Sequence, residues 1–317
     1  MIAFGPVPSR RLGRSLGINN IPPKVCTYSC VYCQVGRTLK MEVDRRMFYD
    51  PEEILKEVQD KVKRSKEAGE AIDYLTFVPD GEPPLDVHLG REIELLKPLG
   101  IPIAVITNAS LIGREEVREE LMNADWVSLK VDATREEVWR RINRAHRALH
   151  LSSIQDGMLE FVEAYGGELA TETMLVKGVN DSDAVVGELA DFLARLQPST
   201  AYLAISTRPP AEEWVQAPRE DVITRAYQIL QKRVDRAEYL IGYEGNAFAF
   251  TGNVEEDLLS ITAVHPMREE AVSEFLARAG ADWAVVYTLI AQGKLVETEY
   301  EGRKFYMRRL HSNLRGS

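Results

Sequence analysis

Three cysteines, Cys26, Cys30 and Cys33, fall within eight residues, and the 317-residue chain has no others. An odd, tightly grouped set cannot build a disulfide framework. It points instead to a reducing, cytoplasmic compartment and to metal chemistry. The spacing Cys26-x3-Cys30-x2-Cys33 offers three thiolates to one centre and leaves one position open. A structural zinc site takes four ligands, often as two separated C-x-x-C pairs, and no second pair exists here. His88 could supply a fourth ligand, but its spacing is unlike that of a zinc knuckle. Thiolates equally suit an iron–sulfur cluster, which takes four protein ligands when the site is closed. Three would leave one iron of a cubane to bind something else. Spacing alone leaves zinc and iron–sulfur both open.

The elements that must hold such a centre alternate along the chain. Apolar or β-branched runs at 74–78, 101–107, 126–131, 169–176 and 200–205 read as strands, with 16–21 as a first strand ahead of the cysteines. Gly17, Asn19 and Asn20 are poor strand formers within that first run. Helical signals lie between the runs. Asp50-Pro51-Glu52-Glu53 is a capped start for a helix ending before Gly69. Others cover 114–122, 134–141, 153–165, 182–196 and 219–234. Strands spaced by helices imply a parallel sheet with crossover helices. Six such units make an open or partial (β/α)6 barrel, whose sites lie at the C-terminal strand ends. After residue 253 the pattern changes to two helices, 268–279 and 282–292, and a hairpin, 295–300 and 303–309, turning at Glu301-Gly302. We therefore expect an α/β barrel domain over 1–253 and a winged-helix-like domain over 254–317.

The strand ends carry polar residues. Asp80-Gly81-Glu82-Pro83-Pro84 follows the run at 74–78, and Thr107-Asn108-Ala109 ends the run at 101–107. In the run at 126–131, period two puts Ser128, Lys130 and Asp132 on one face and Val127, Leu129 and Val131 on the other. A parallel strand buried on both faces is apolar throughout, so this polar face predicts a solvated lumen that binds ligands. Lys130 can pair with a substrate carboxylate, bind phosphate or form a Schiff base; the plainer reading is a salt bridge to Asp132 or Glu172. Glu172 or Thr173 faces the same lumen, with the phase open by one residue. The next strand is followed by Ser206-Thr207-Arg208-Pro209-Pro210.

The cysteine motif, with aromatic Tyr32 just before its last cysteine, resembles that of the radical S-adenosylmethionine (SAM) superfamily. The resemblance covers about residues 5–250. It implies a [4Fe-4S] cluster on Cys26, Cys30 and Cys33, with the amino and carboxylate groups of SAM on the fourth iron. It also implies reductive cleavage of SAM to a 5′-deoxyadenosyl radical that abstracts hydrogen from substrate. Asp80-Gly81-Glu82-Pro83 resembles the family's Gly-Gly-Glu-Pro motif with Asp80 in place of the first Gly, so Gly81, Glu82 and Pro83 are carried over as SAM contacts. The resemblance adds Asn108, Ser128 and Tyr32 on the cofactor side. Lys130, Glu172 and Arg208 are the expected substrate-side residues. Gly5-Pro6-Val7-Pro8-Ser9-Arg10-Arg11, Gly36-Arg37-Thr38 and Arg141-Ile142-Asn143-Arg144 look like a branch similar to the wyosine-base-forming tRNA enzymes. The chain lacks the further cysteines of their second cluster, which sets it apart from that specific reaction.

Charge narrows the partners. The net charge is -10, yet residues 1–50 hold eight Lys or Arg against three Asp or Glu. An acidic whole argues against broad nucleic-acid binding, and a basic mouth around the cysteines remains. Arg10, Arg11, Arg14, Lys24 and Arg37 suit a phosphate-bearing substrate, an acidic reductant such as flavodoxin or ferredoxin, or a solvated face. The substrate is a small molecule or a nucleotide, and RNA is a candidate partner. The helix expected at 282–292 carries no basic residue, which favours packing or substrate capping over DNA reading. His265 reads as a hydrogen-bonded structural residue. No apolar run approaches the ~20 residues that span a bilayer, and the N-terminal segment has no signal-like apolar stretch. Two rival readings stand beside the radical enzyme: an iron–sulfur, redox-sensing DNA-binding regulator and a zinc-binding structural protein.

Overall fold

Asp50 starts the first helix as its sequence dictates. Its carboxylate accepts the Glu52 backbone N–H, Pro51 takes the first helical position, and two glutamates sit in the first turn. The structure, a computed structural model, describes residues 2–242 and 245–309. In chain order the strands are β1 (Ala3–Ser9), β2 (Gly13–Ile18), β3 (Val25–Cys26), β4 (Lys40–Met41), β5 (Tyr74–Phe77), β6 (Ile103–Thr107), β7 (Trp126–Lys130), β8 (Glu168–Leu175), β9 (Thr200–Ile205), β10 (Ala237–Leu240), β11 (Met267–Arg268), β12 (Leu295–Tyr300) and β13 (Arg303–Arg308). The helices are α1 (Pro51–Glu67), α2 (Leu89–Leu96), α3 (Glu115–Leu121), α4 (Glu136–Asn143), α5 (Leu151–Ala164), α6 (Asp183–Leu196), α7 (Glu220–Gln231), α8 (Val254–Val264), α9 (Glu269–Arg278) and α10 (Ala284–Ala291).

Eight strands form one curled sheet in the order β1-β2-β5-β6-β7-β8-β9-β10, a partial barrel. From β2 to β10 every neighbour is parallel, as helical crossovers require. The six expected strand–helix units run from β2 to β9. Two edge strands escape the sequence reading. β1 contains Pro6 and Pro8, which an edge strand tolerates because its outer ladder needs no donors. β10 is only four residues long. The first parallel strand lies at Gly13–Ile18, earlier than the expected 16–21. Gly17 belongs in it because the Phe4 ring of β1 lies on that glycine; a Cβ there would come within 1.9 Å of the ring.

Alternation along the strands divides the core. Leu75, Phe77, Ile103, Val105, Val127 and Leu129 pack outward against the helices. Ala104, Trp126, Ala170, Tyr202 and Ala204 form a second cluster with Leu12 and Leu240 on the opposite face. That inner layer plugs one end of the lumen. Ser128, Lys130 and Glu172 stand further along the same strands, toward their C-terminal ends, where the lumen opens.

Beyond residue 253 the two expected helices and the hairpin are present as α9, α10, β12 and β13, and short β11 joins the hairpin in a sheet ordered β11-β13-β12. Asn253, at the expected boundary, is the N-cap of α8 and accepts the Glu256 N–H. This end shares its core with the N-terminus: Phe4 and Val7 are buried with Leu258, Ile261, Val272 and Phe275. Buried Lys61 on α1 bonds Asp257 at 2.7 Å and Thr251 at 2.8 Å, tying α8 to the barrel. No helix among the described residues is long and apolar enough to cross a membrane.

Candidate active site at the strand ends

The cysteines lie on the segment after β2, which crosses the C-terminal ends of the parallel strands. Its backbone is fixed from several sides. Ser29 N–H and Val31 N–H donate to the carbonyls of Asn143 and Ile142 at the end of α4, and His146 N–H donates to the Thr27 carbonyl. Tyr28 is buried edge-on to Trp139, and the indole N–H donates to its hydroxyl at 3.2 Å. Thr27 and Ser110 share a hydroxyl hydrogen bond of 2.6 Å. Gly81 meets this segment from below: a Cβ would lie 1.9 Å from the Val25 carbonyl oxygen. The close approach that needs a glycine here is therefore to the cysteine strand.

All three thiols line one cavity of about 370 Å³, within the range of small-ligand sites. The cavity also receives Tyr32, Gly81, Glu82, Asn108, Ser128, Lys130, Glu172 and Arg208. Pro83 is not among its lining residues. It starts the turn Pro83–Leu85, and its carbonyl accepts the Asn20 amide. His88 also lies outside the cavity, at the N-cap of α2. Of the basic block, Arg10, Arg11 and Lys24 line the cavity, whereas Arg14 bonds Asp73 and Arg37 pairs with Glu212.

Register settles the side chains. Glu172 faces the cavity; neighbouring Thr173 turns away and donates to the Val131 carbonyl at 2.7 Å. Glu172 accepts from both Lys130 and Arg11. Burial alone would raise its pKa, but those two cations hold it down at about 2. Burial works against the Lys130 ammonium, and the Glu172 and Asp132 carboxylates outweigh it, so the lysine stays protonated. A protonated, paired lysine is a charge partner; a Schiff base would need the free amine. Lys130 also sits 4.8 Å above the Tyr32 ring, whose hydroxyl donates to Asp132.

Glu82 is anchored at both oxygens, by the Thr107 hydroxyl and by the Asn108 N–H at 2.8 Å. Burial pushes its pKa up to about 8 against those hydrogen bonds. The Asn108 side-chain amide turns to Thr27 at 2.9 Å and to the Cys26 sulfur at 3.5 Å. Arg208 is buried and bonds Gln34 and His265, with its Nη2 2.8 Å from His265 Nε2. Burial first, then Arg208, drives the His265 pKa well below its usual value, which leaves the ring neutral. His265 and Val264 line the cavity, so the end of α8 closes one side of it.

Two lining residues carry more weight than their sequence positions indicate. Lys24 is 7% exposed and Asp80 is 4% exposed, and neither the ammonium nor either carboxylate oxygen has a hydrogen-bond partner. Burial lowers the Lys24 pKa and raises that of Asp80 to about 7, each partly offset by the other's charge; buried polar groups without hydrogen bonds mark a place built for a polar ligand. The sequence places both in motifs near the site but does not show their burial, which is a property of the fold. Among the described residues no three His, Cys, Asp or Glu are gathered for a single metal ion. The three thiols line the cavity wall together. Burial raises all three thiol pKa values, Cys30 to about 12, so loading metal must displace their protons.

A partial barrel with clustered thiols and ligand-facing polar groups at its strand ends defines a class of cofactor-dependent enzyme. The chain belongs to the radical SAM superfamily, whose family model matches residues 20–193. It is thereby an enzyme that cleaves SAM with the help of an iron–sulfur cluster. It is 48% identical over 313 residues to a UPF0026 protein of Methanocaldococcus jannaschii, covering 98% of this chain and 97% of that protein. Two solved structures share the fold. A radical SAM methyltransferase from Sphaerobacter thermophilus superposes with a TM-score of 0.56 at 21% identity, over 72% of this chain and 67% of that one. TYW1 with a lysine–pyruvate adduct bound gives 0.53 at 17% identity, over 70% and 74%.

Proposed function

We propose that Cys26, Cys30 and Cys33 hold a [4Fe-4S] cluster and that the enzyme abstracts hydrogen from an anionic small molecule or nucleotide bound beside it. One observation carries this reading: the three thiols open into the same cavity as the C-terminal ends of six parallel strands, β5 to β10. When bound, the reduced cluster and SAM together supply a 5′-deoxyadenosyl radical. Gly81, Glu82, Asn108, Ser128 and Tyr32 bind SAM on the side nearest the cysteines. Asp80 and Lys24 bring a buried carboxylate and ammonium to that side, matching the amino and carboxylate groups of an amino-acid moiety. Lys130, Glu172 and Arg208 face the substrate. Arg10, Arg11, Lys24, Lys130 and Arg208 outnumber Asp80, Glu82 and Glu172 among the described lining residues, which favours an anion.

The region after residue 253 acts in this reading as a winged-helix-like cap. Val264 and His265 exclude water from one wall. Trp283, at the start of the expected recognition helix, packs on Tyr306 at 5.4 Å. An acidic reductant such as flavodoxin or ferredoxin supplies the electron in the cytoplasm. The test is anaerobic reconstitution with iron and sulfide, reduction with dithionite, and measurement of 5′-deoxyadenosine. Release that depends on the cluster and disappears in Cys30→Ala is the expected result. Iron uptake without SAM cleavage, together with specific DNA retention, would shift the reading to a regulator. Zinc in protein purified without reconstitution would overturn it.

A further inference from the structure

We propose that Asn143 is a positioning residue for the cluster, its side-chain amide donating an N–H···S hydrogen bond to the Cys30 thiolate and raising the cluster's reduction potential. This rests on the reading of the three cysteines as cluster ligands. Asn143 Nδ2 lies 3.4 Å from Cys30 Sγ and 2.7 Å from Asp132 Oδ2. An amide nitrogen has two hydrogens: one is directed to Asp132, and the other lies between the Cys30 sulfur and the Tyr32 hydroxyl, which is 3.3 Å away. The orientation is forced, because the opposite rotamer would turn the amide oxygen against the Asp132 carboxylate. Asn143 is 2% exposed, so water cannot replace it.

The contact is built into the chain at both ends. Arg144 adopts φ +47 just beyond Asn143 and ends α4, and the carbonyls of Ile142 and Asn143 accept Val31 and Ser29 N–H groups on either side of Cys30. The helix end therefore clips onto the cysteine segment and points one amide at one sulfur. This gives the Arg141-Ile142-Asn143-Arg144 motif a role in holding the cysteine segment. The cysteines differ in how they are served. Cys26 and Cys33 have backbone N–H donors in Tyr28 and Val35, and Cys26 also has the Asn108 amide at 3.5 Å, while the donor to Cys30 is the Asn143 side chain. The donor to Cys30 can thus be changed by mutation without moving the backbone. A donor on a thiolate draws electron density from the iron–sulfur bond and favours the reduced, more negative cluster.

The experiment is an EPR-monitored redox titration of the anaerobically reconstituted, SAM-free protein and of Asn143→Leu, which keeps the size and removes the donor. Trp139→Phe serves as control, since it perturbs the same helix without touching sulfur. At the potential where the unmutated cluster is half reduced, the reduced-to-oxidised ratio in Asn143→Leu should fall about tenfold, equivalent to ~59 mV for one electron. Trp139→Phe should leave it unchanged. An unshifted ratio in iron-loaded Asn143→Leu, or an equal shift in Trp139→Phe, overturns the proposal. Should Asn143→Leu not take up iron, the unmutated protein decides. With asparagine labelled by 15N in its side-chain amide, in an Asn108→Ser background that removes the amide near Cys26, the reduced cluster should show a 15N hyperfine coupling, and its absence overturns the proposal. An unmutated chain that binds no iron overturns the cluster reading as well, and the iron count tells that failure apart.

Discussion

Glu172 holds two cations, Lys130 and Arg11, in a cavity wall where neither it nor they can be fully hydrated. Its pKa in the folded chain is about 2, against 4.5 for the free side chain. A depressed carboxylate contributes stability that is fully present above pH ~4.5 and lost as pH falls through the folded value. At ~1.4 kcal/mol per pKa unit this amounts to about 3 kcal/mol. Glu172→Gln should be less stable at pH 7 by about that amount, and its stability should change less than that of the parent between pH 4.5 and pH 2. Urea unfolding across that range checks both. Parallel acid limbs in the two proteins would contradict the pairing. The same carboxylate, together with Asp132, keeps Lys130 charged, so losing it lowers the lysine's pKa.

At the scale of elements, the cysteine segment is held by contacts from several directions. Below it lies the Gly81 turn, and beside it the ends of β6 and α4. Gly81→Ala would put a methyl 1.9 Å from the Val25 carbonyl oxygen, which is backbone on both sides and cannot yield as a side chain would. The expected result is displacement of Val25–Cys26 and at least a several-fold fall in iron bound per chain, with secondary structure kept. Iron analysis beside circular dichroism reads the two effects separately. Full iron loading in Gly81→Ala would show that the close approach is not what fixes Cys26. The strands explain why the motif residues meet at all. Parallel pairing brings Ser128 level with Ile106 and Ala170, and Lys130 level with Glu172, so polar residues of successive strands stack into one patch.

Across the whole molecule, the region after residue 253 is joined to the barrel by a buried charge and by a shared apolar core. Lys61 and Asp257 are both nearly inaccessible, and Asp257 also accepts the Thr251 N–H and hydroxyl. Removing one partner of such a pair costs about 3–5 kcal/mol because the other is left buried and charged. Lys61→Met should therefore unfold at markedly lower denaturant and lose hydrogen-exchange protection in α8 before the barrel strands lose theirs. Because Val264 and His265 at the end of α8 line the cavity, loosening it should also weaken SAM binding. Uniform loss of protection across barrel and α8 would show that the two unfold as one unit.

The sequence by itself determined what is local or covalent. Thiol chemistry and the Cys26-x3-Cys30-x2-Cys33 spacing require no fold to be read, and period-two alternation exposed Ser128 and Lys130 as a polar face on an otherwise buried strand. Helix signals such as Asp50-Pro51 act within one turn and were legible for the same reason. Tertiary structure alone decided what depends on partners distant in the chain. Asn143 meets Cys30 across 113 residues, and Arg11 meets Glu172 across 161. It chose Glu172 over Thr173 for the cavity, since strand register is set by neighbours on both sides. It admitted β1 despite two prolines, because edge position is a property of the sheet. It also buried Lys24 and Asp80 without hydrogen-bond partners, because desolvation is imposed by surrounding elements that the residues themselves do not encode.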